Sequence, residues 1–544
     1  MQKKYFFILI GGIVIILVFI SHRPKDDIKD LILNASELVG LSFSLEKIDM
    51  MVPGVLSHKQ SYLNNRLKTI DNSVPPALHF YPFPSEYTLP EYTGFILSNY
   101  EEEKLTGSID SLAFFTIAQL SSLIRTRQIT SVELTDFYIK RLKRLDSTLM
   151  CVISFTEDRA MRQALKMDEE LLSGLYRGPL HGIPCGIKDL LATKDYKTTW
   201  GARPFQDQHI DYDAEVVKRL EEAGAVIVAK LTLGALAWGD VWFGGMTRNP
   251  WDISKGSSGS SAGSASAVAA GGIPFAIGSE TLGSIISPST VCGTTGLRPT
   301  YGRVSRYGAM ALSWSMDKLG PIGRSAEDCL MVLRAIEGKD EKDPMTYDVP
   351  LNYNAEVPLS SLRIGYIKKD FDQDYPFREN DLATLEILRL AGADLIAVEL
   401  PEYPDIGFIL QAEAAAAFDE LTTTGKDDSM VRQIRFAWPN TFREARLIPA
   451  VEYIKANRLR TSLIQDMDVL MKQLDAYIHP SWASSSLRIT NLTGHPCIVI
   501  PNGFKDGLPT SISITGRLFE EGTIVRIAQE YQHLTNYHLR HPRL

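Results

Sequence analysis

KGSSGSSAGSASAVAAGGIPFAIGSETLGSIISPSTVCGTTGLRPT, residues 255–300, is dense in Gly, Ser, Ala and Thr. It lacks the charge and the monotony of a solvated linker, so its small residues imply close backbone packing. Ser264 to Ala270 reads as a short helix of small residues, and Ala276-Ile277-Gly278 as a buried strand. Ser284 then falls on the turn that leaves this strand. Two clusters stand out, Gly259-Ser260-Ser261 and Thr281-Leu282-Gly283-Ser284, with Ser260 and Ser284 24 residues apart.

A serine hydroxyl needs a neighbouring base before it becomes a nucleophile. One G-x-S-x-G match, Gly259 to Gly263 centred on Ser261, follows a Gly-Ser loop and not the apolar strand of a nucleophile elbow. The base is therefore sought upstream, in Gly178-Pro179-Leu180-His181-Gly182-Ile183-Pro184-Cys185-Gly186-Ile187-Lys188-Asp189. Burial disfavours an ammonium ion, so a lysine among such small and apolar residues is expected to be neutral and basic. Lys188 would take a proton from Ser260, and Ser260 from Ser284.

These segments resemble the amidase signature family: a lysine after Gly-Ile-Pro, a G-S-S-G-type loop, and a serine 24 residues later in a G-S-I-x-x-P segment. The resemblance runs from about Phe115 to about Tyr531 and takes in Asn491-Leu492-Thr493-Gly494-His495-Pro496. It implies an α/β fold with a central mixed, twisted sheet covered by helices on both faces. It also implies catalytic Lys188, Ser260 and Ser284, an oxyanion hole from the backbone of Thr281, Leu282, Gly283 and Ser284, and support from Gly259 and Ser261. Amides, and esters as well, would be hydrolysed through an acyl-serine, with no metal and no organic cofactor. Three positions depart from the commonest pattern: Ala262 for a glycine, Glu280 where Asp is frequent, and Leu282 for the first of two glycines. Many relatives carry an arginine two or three residues after the nucleophile, where Ile286 and Ser287 stand here. A cation would have to come from a distance, for example from Arg203 or Arg298.

The 544 residues exceed the roughly 250–300 that one core usually holds, so a large α/β domain with extra layers, or several modules, is expected. A net charge of −8 and a pI near 5.8 give no reason to expect nucleic acid as a partner. The five cysteines, Cys151, Cys185, Cys292, Cys329 and Cys497, contain no C-x-x-C pair and predict neither disulfide framework nor zinc site. Lys3 and Lys4 precede an apolar run from Tyr5 to Ile20, so residues 1–24 are expected to be a membrane anchor or signal segment. An uncleaved anchor, with the catalytic part on the extracytoplasmic side, is preferred over secretion after cleavage because no small-residue cleavage site follows.

Residues 25–110 read as an extension packed on the catalytic domain: helical pieces from Pro24 to Leu67, interrupted at Pro53-Gly54, then a strap with Pro75, Pro76, Pro82, Pro84 and Pro90. Residues 111–544 read as the amidase domain. Within it, Thr130-Ser131-Val132-Glu133 opens a capped helix, and helix-Gly-strand units recur at 213–229 and 381–400. Gln411 to Arg460 is helix-rich, and strands and a final helix close the chain.

Blander roles compete with each of these. Lys188 resembles any lysine reaching solvent past an apolar wall, and Ser284 could cap a helix. His181, His479 and His495 lack a paired carboxylate at suggestive spacing and read as structural. Cys185 and Cys292 read as small buried residues. Asp189 is expected to hold its loop, since pairing with Lys188 would oppose the basic role. Two other functions fit the chain: the A component of an amidotransferase, working with partner subunits, and a non-catalytic membrane-tethered binding protein. The oligomeric state is not legible.

Overall fold

The structure, a computed structural model, describes residues 27–67 and 70–544. It divides into two compact units, with the boundary between residues 70 and 71. In the first unit, helices span Ile28–Leu38 and Leu45–Asn65. The second helix continues through Pro53, where the sequence predicts an interruption. A proline removes one i to i−4 bond and bends a helix, and the turns on either side carry it across.

The second unit is built on an eleven-stranded sheet. In chain order its strands are β1 Val152–Phe155, β2 Pro184–Lys188, β3 Val226–Leu231, β4 Phe275–Glu280, β5 Thr295–Arg298, β6 Lys318–Gly323, β7 Ile364–Ile367, β8 Leu395–Val398, β9 Ala476–Pro480, β10 Cys497–Lys505 and β11 Leu508–Gly516. They lie side by side as β8-β7-β9-β11-β10-β5-β6-β4-β2-β3-β1. β2 runs parallel to β3 and β4, whereas β6 is antiparallel to β4, so the sheet is mixed. Every residue of β2, β3, β4 and β6 is buried, which requires cover on both faces. The expected α/β architecture is the one found.

Local chemistry sets the elements that flank the site. Helix α1, Ser131–Leu149, starts at a capping box in which Thr130 and Glu133 satisfy each other's backbone N–H groups. Helix α2, Ala262–Ala269, is buried along its whole length, as only a run of Ala, Gly, Ser and Val allows so close to a sheet. At Gly263 a β-carbon would lie 2.3 Å from the carbonyl oxygen of Cys151. Helix α3, Ile286–Cys292, leaves the turn after β4.

The Pro-rich strap belongs to the second unit from residue 71 on. The Asn72 amide is fastened to the backbone of Ala311, donating to its carbonyl at 3.0 Å and accepting from its N–H at 2.7 Å. Phe80 lies under the Arg460 guanidinium, 3.6 Å from ring centroid to Cζ.

One expectation is corrected. The anchor or signal segment 1–24 lies outside the described residues, and among the described residues no helix is long and apolar enough to cross a membrane. The apolar run itself, residues 5–20, is shorter than the roughly 20 residues that span a hydrocarbon core. The membrane-anchored placement and its extracytoplasmic orientation are therefore set aside.

Candidate active site

Parallel pairing of β2 with β4, Ile187 beside Ile277, brings Lys188 and the turn after Glu280 to the same edge of the sheet. Ser260 and Ser261 arrive on the loop that enters α2. Gly259 is required there, because a β-carbon at that position would lie 1.9 Å from the Gly239 carbonyl oxygen.

Lys188 is fully buried, and its side-chain nitrogen is ringed by hydroxyls. It donates to Ser260 Oγ at 2.7 Å, Ser279 Oγ at 2.8 Å, Ser261 Oγ at 3.1 Å and the Ser279 carbonyl at 3.4 Å. Among the described residues no carboxylate is hydrogen-bonded to it. Burial drives its pKa well below the ordinary lysine value, against the opposing pull of Asp317 and Glu280. Asp189 turns elsewhere: Oδ2 accepts from the Thr199 N–H and hydroxyl, and Oδ1 lies 2.9 Å from Lys230 Nζ. It holds its own loop and does not pair with Lys188.

Ser261 ties the two serine segments together. Its N–H donates to the Ser284 carbonyl at 3.2 Å, and its hydroxyl bridges the N–H and carbonyl of Ser279, each at 3.1 Å. Ser279 is not singled out by the sequence, where Gly278-Ser279-Glu280 passes for the end of a strand. Its hydroxyl is nevertheless as close to Lys188 as that of Ser260.

The turn after β4 is anchored by Glu280. One carboxylate oxygen accepts the N–H groups of Ile285 at 2.8 Å and Ile286 at 3.0 Å; the other accepts from Arg298 at 2.8 Å and Asn491 at 2.9 Å. Burial alone would raise this carboxyl, yet Arg298 and the other donors hold it at about 2. Between Glu280 and Ile285 the backbone has donors to spare. Among the described residues, the N–H groups of Thr281, Leu282, Gly283 and Ser284 donate to no protein atom. Four consecutive backbone donors are thus left free next to Ser284. Ser284 does not cap α3: Ile285 holds the N-cap position and no side chain caps the helix.

The second half of the relay is not closed in the structure. Among the described residues no hydrogen bond joins Ser260 Oγ to Ser284 Oγ. A pocket of about 90 Å³ opens beside the cluster, with Ser279, Thr281, Leu190, Leu312, Leu319 and Asp317 in its wall. Neither Ser260 nor Ser284 lines it, and Ser284 is 8% exposed.

The histidines are structural. His181 Nε2 bonds the Met167 carbonyl at 2.9 Å; His479 and His495, held by Thr515 and Thr493, are pushed down to about 3 by burial. All five cysteines are buried and unpaired, and burial raises the Cys185 and Cys292 thiols. Among the described residues no group of three or more His, Cys, Asp or Glu side chains is placed to hold a metal ion.

Comparison with known proteins fixes the lineage. Residues 133–491 match the family described as Amidase. The chain belongs to that family. The A subunit of glutamyl-tRNA(Gln) amidotransferase from Geobacillus kaustophilus is 32% identical over 482 residues, 79% of this chain and 99% of the relative. Native peptide amidase from Stenotrophomonas maltophilia superposes with a TM-score of 0.70 at 30% identity, covering 79% of this chain and 98% of that one. An amidase family protein from Bacillus anthracis str. Ames gives 0.72 at 26% identity, covering 80% and 93%. This member of the amidase family is an amide-hydrolysing enzyme.

Proposed function

We propose that the enzyme hydrolyses neutral carboxylic amides through an acyl-serine at Ser284. The carrying observation is the pairing of a desolvated Lys188 amine, 2.7 Å from Ser260, with four free backbone donors that end at Ser284. Neutral Lys188 takes the Ser260 proton as Ser260 takes that of Ser284. The freed Ser284 Oγ then bonds to the carbonyl carbon. Developing charge on the carbonyl oxygen is met by the 281–284 N–H groups. Ser260 returns a proton to the leaving amine as the C–N bond breaks, and water repeats the sequence to release the acid. The open Ser260–Ser284 contact is one that substrate binding has to close, as catalytic hydrogen bonds commonly tighten only in the complex.

Hydrolysis of a panel of aryl amides and amino-acid amides by the full chain tests this reading, with a serine-reactive phosphonate labelling Ser284. Absence of both turnover and labelling would overturn it in favour of a non-catalytic binding role.

Substrate charge is a further expectation. Arg298 is committed to Glu280, and Arg306, in the pocket wall, is paired in fork geometry with Asp343 at 2.9 Å. A carboxylate beside the scissile carbonyl would lose water without gaining a guanidinium, at a cost of several kcal/mol in a dry pocket. Matched neutral amides should therefore exceed carboxylate-bearing ones in kcat/KM by about tenfold or more. The reverse order, abolished by high salt, would overturn the prediction and point to the exposed Lys342 at the pocket wall.

The similarity to the A subunit of an amidotransferase over almost its full length favours one second reading, a component that works with partners. Turnover of simple amides by the isolated chain, unchanged by candidate partner subunits, would remove it.

A further inference from the structure

Asp317 stands just beyond the β4–β6 ladder, whose last pair is Glu280 with Lys318, and so meets Thr281. Its Oδ1 accepts from Thr281 Oγ1 at 2.6 Å, while Oδ2 accepts the N–H groups of Leu312 at 2.8 Å and Ser313 at 2.9 Å. It also shares the wall of the 90 Å³ pocket with Ser279 and Thr281. None of its three donors carries a charge. We propose that Asp317 is a positioning residue of the acyl-transfer site: its carboxylate holds the head of the oxyanion loop through Thr281 and supplies the negative charge that Lys188 faces. This assignment rests on the reaction proposed above.

The chemistry follows from what surrounds each group. A hydroxyl bound to a buried carboxylate at 2.6 Å makes a strong, charge-assisted link, so the Thr281 backbone is fixed before substrate arrives. That fixes the first of the four free N–H groups. The groups that face Lys188 are few. Glu280 is neutralised by Arg298, and Asp189 is turned to Lys230. Lys318, buried beside Glu280, points its amine at the Met316 carbonyl. Arg306, in the pocket wall with Asp317, is taken by Asp343. Asp317 is the carboxyl that opposes burial at Lys188 most, ahead of Glu280, while burial pushes its own carboxyl up as well. Too low a pKa would leave Lys188 a weak base, and too high a one would leave it protonated; the Asp317 carboxylate shifts that balance upward.

The test is the pH dependence of kcat and kcat/KM on a neutral aryl amide for the full-length wild type, Asp317→Asn, Thr281→Val and Thr281→Ser. Asparagine keeps an acceptor for the Leu312 and Ser313 N–H groups but removes the charge. Loss of the anion lowers the Lys188 pKa, so the acidic limb of kcat/KM should move down by about one pH unit. Thr281→Val should lower kcat by about tenfold with KM nearly unchanged, and Thr281→Ser should restore it. An unmoved limb in Asp317→Asn overturns the proposal, as does wild-type kcat in Thr281→Val. If Asp317→Asn fails to fold, the Thr281 pair decides. Ser284→Ala in the same assay keeps the two ideas apart: turnover lost there, with an unmoved Asp317 limb, rejects the role of Asp317 alone.

Discussion

Replacing Ser284 with alanine, or Lys188 with methionine, should lower kcat by on the order of 10⁴ to 10⁶ while the fold is kept. On the proposed mechanism Ser284 forms the acyl bond, and no other hydroxyl of the cluster ends a run of four free N–H groups. Lys188→Met retains the length of the side chain in a fully buried site, so the defect is one of proton transfer and not of packing. A group of residues acting as a unit gives non-additive losses, so the double variant should be no slower than the worse single one. Steady-state rates, with circular dichroism to verify folding, settle the matter. Substantial activity in either variant, above about one per cent of wild type, would exclude the relay. The wild-type profile should rise with pH as Lys188 loses its proton, because burial has already moved that loss well below the ordinary lysine range.

The second large effect is on stability. Arg298→Met would leave the Glu280 carboxylate buried with only N–H donors, and stranding one partner of a buried pair costs about 3–5 kcal/mol. The sign of the pH dependence follows from the depressed carboxyl. Glu280 titrates at about 2 when folded against 4.5 when exposed, so its contribution is complete above 4.5 and is lost as the pH falls toward 2. The gap in Tm between wild type and Arg298→Met should therefore be wide at pH 7 and narrow at pH 3. Adding Glu280→Gln to Arg298→Met should recover part of the loss, since removing both charges is cheaper than removing one. Equal gaps at both pH values would mean that Glu280 is not what Arg298 stabilises.

Much of the candidate site was legible because its residues lie in short, ordered segments. Gly259-Ser260-Ser261, Thr281 to Ser284 and Lys188 carry their spacing in the sequence, and the structure seats Lys188 on Ser260 and ties Ser261 to Ser284. What stayed hidden is long-range. Asp317 meets Thr281 only because β6 lies beside β4, a pairing that no local pattern announces. Ser279 faces Lys188 through the same sheet, on a strand buried on both faces where alternation gives no clue to direction. Helix and strand alternation told the fold class, but not that the strand order would run from β8 to β1 with β5 and β6 near the middle. Pro53 misleads in the opposite sense: it is a strong local breaker inside a helix that continues.

The free donors between Glu280 and Ile285 are main-chain groups, so no substitution at 281 to 284 short of proline deletes one. What can be lost is their direction, and that is held at both ends: by the Thr281 hydroxyl on Asp317, and by Glu280 gripping the N–H groups of Ile285 and Ile286 from behind, with Arg298 gripping Glu280. The side chain at 282 is thereby released from catalytic duty. Leu282, half-buried two residues before Ser284, can be exchanged without removing a backbone donor. On the proposed mechanism, rate then depends on the backbone and its anchor, and selectivity on the side chains around them.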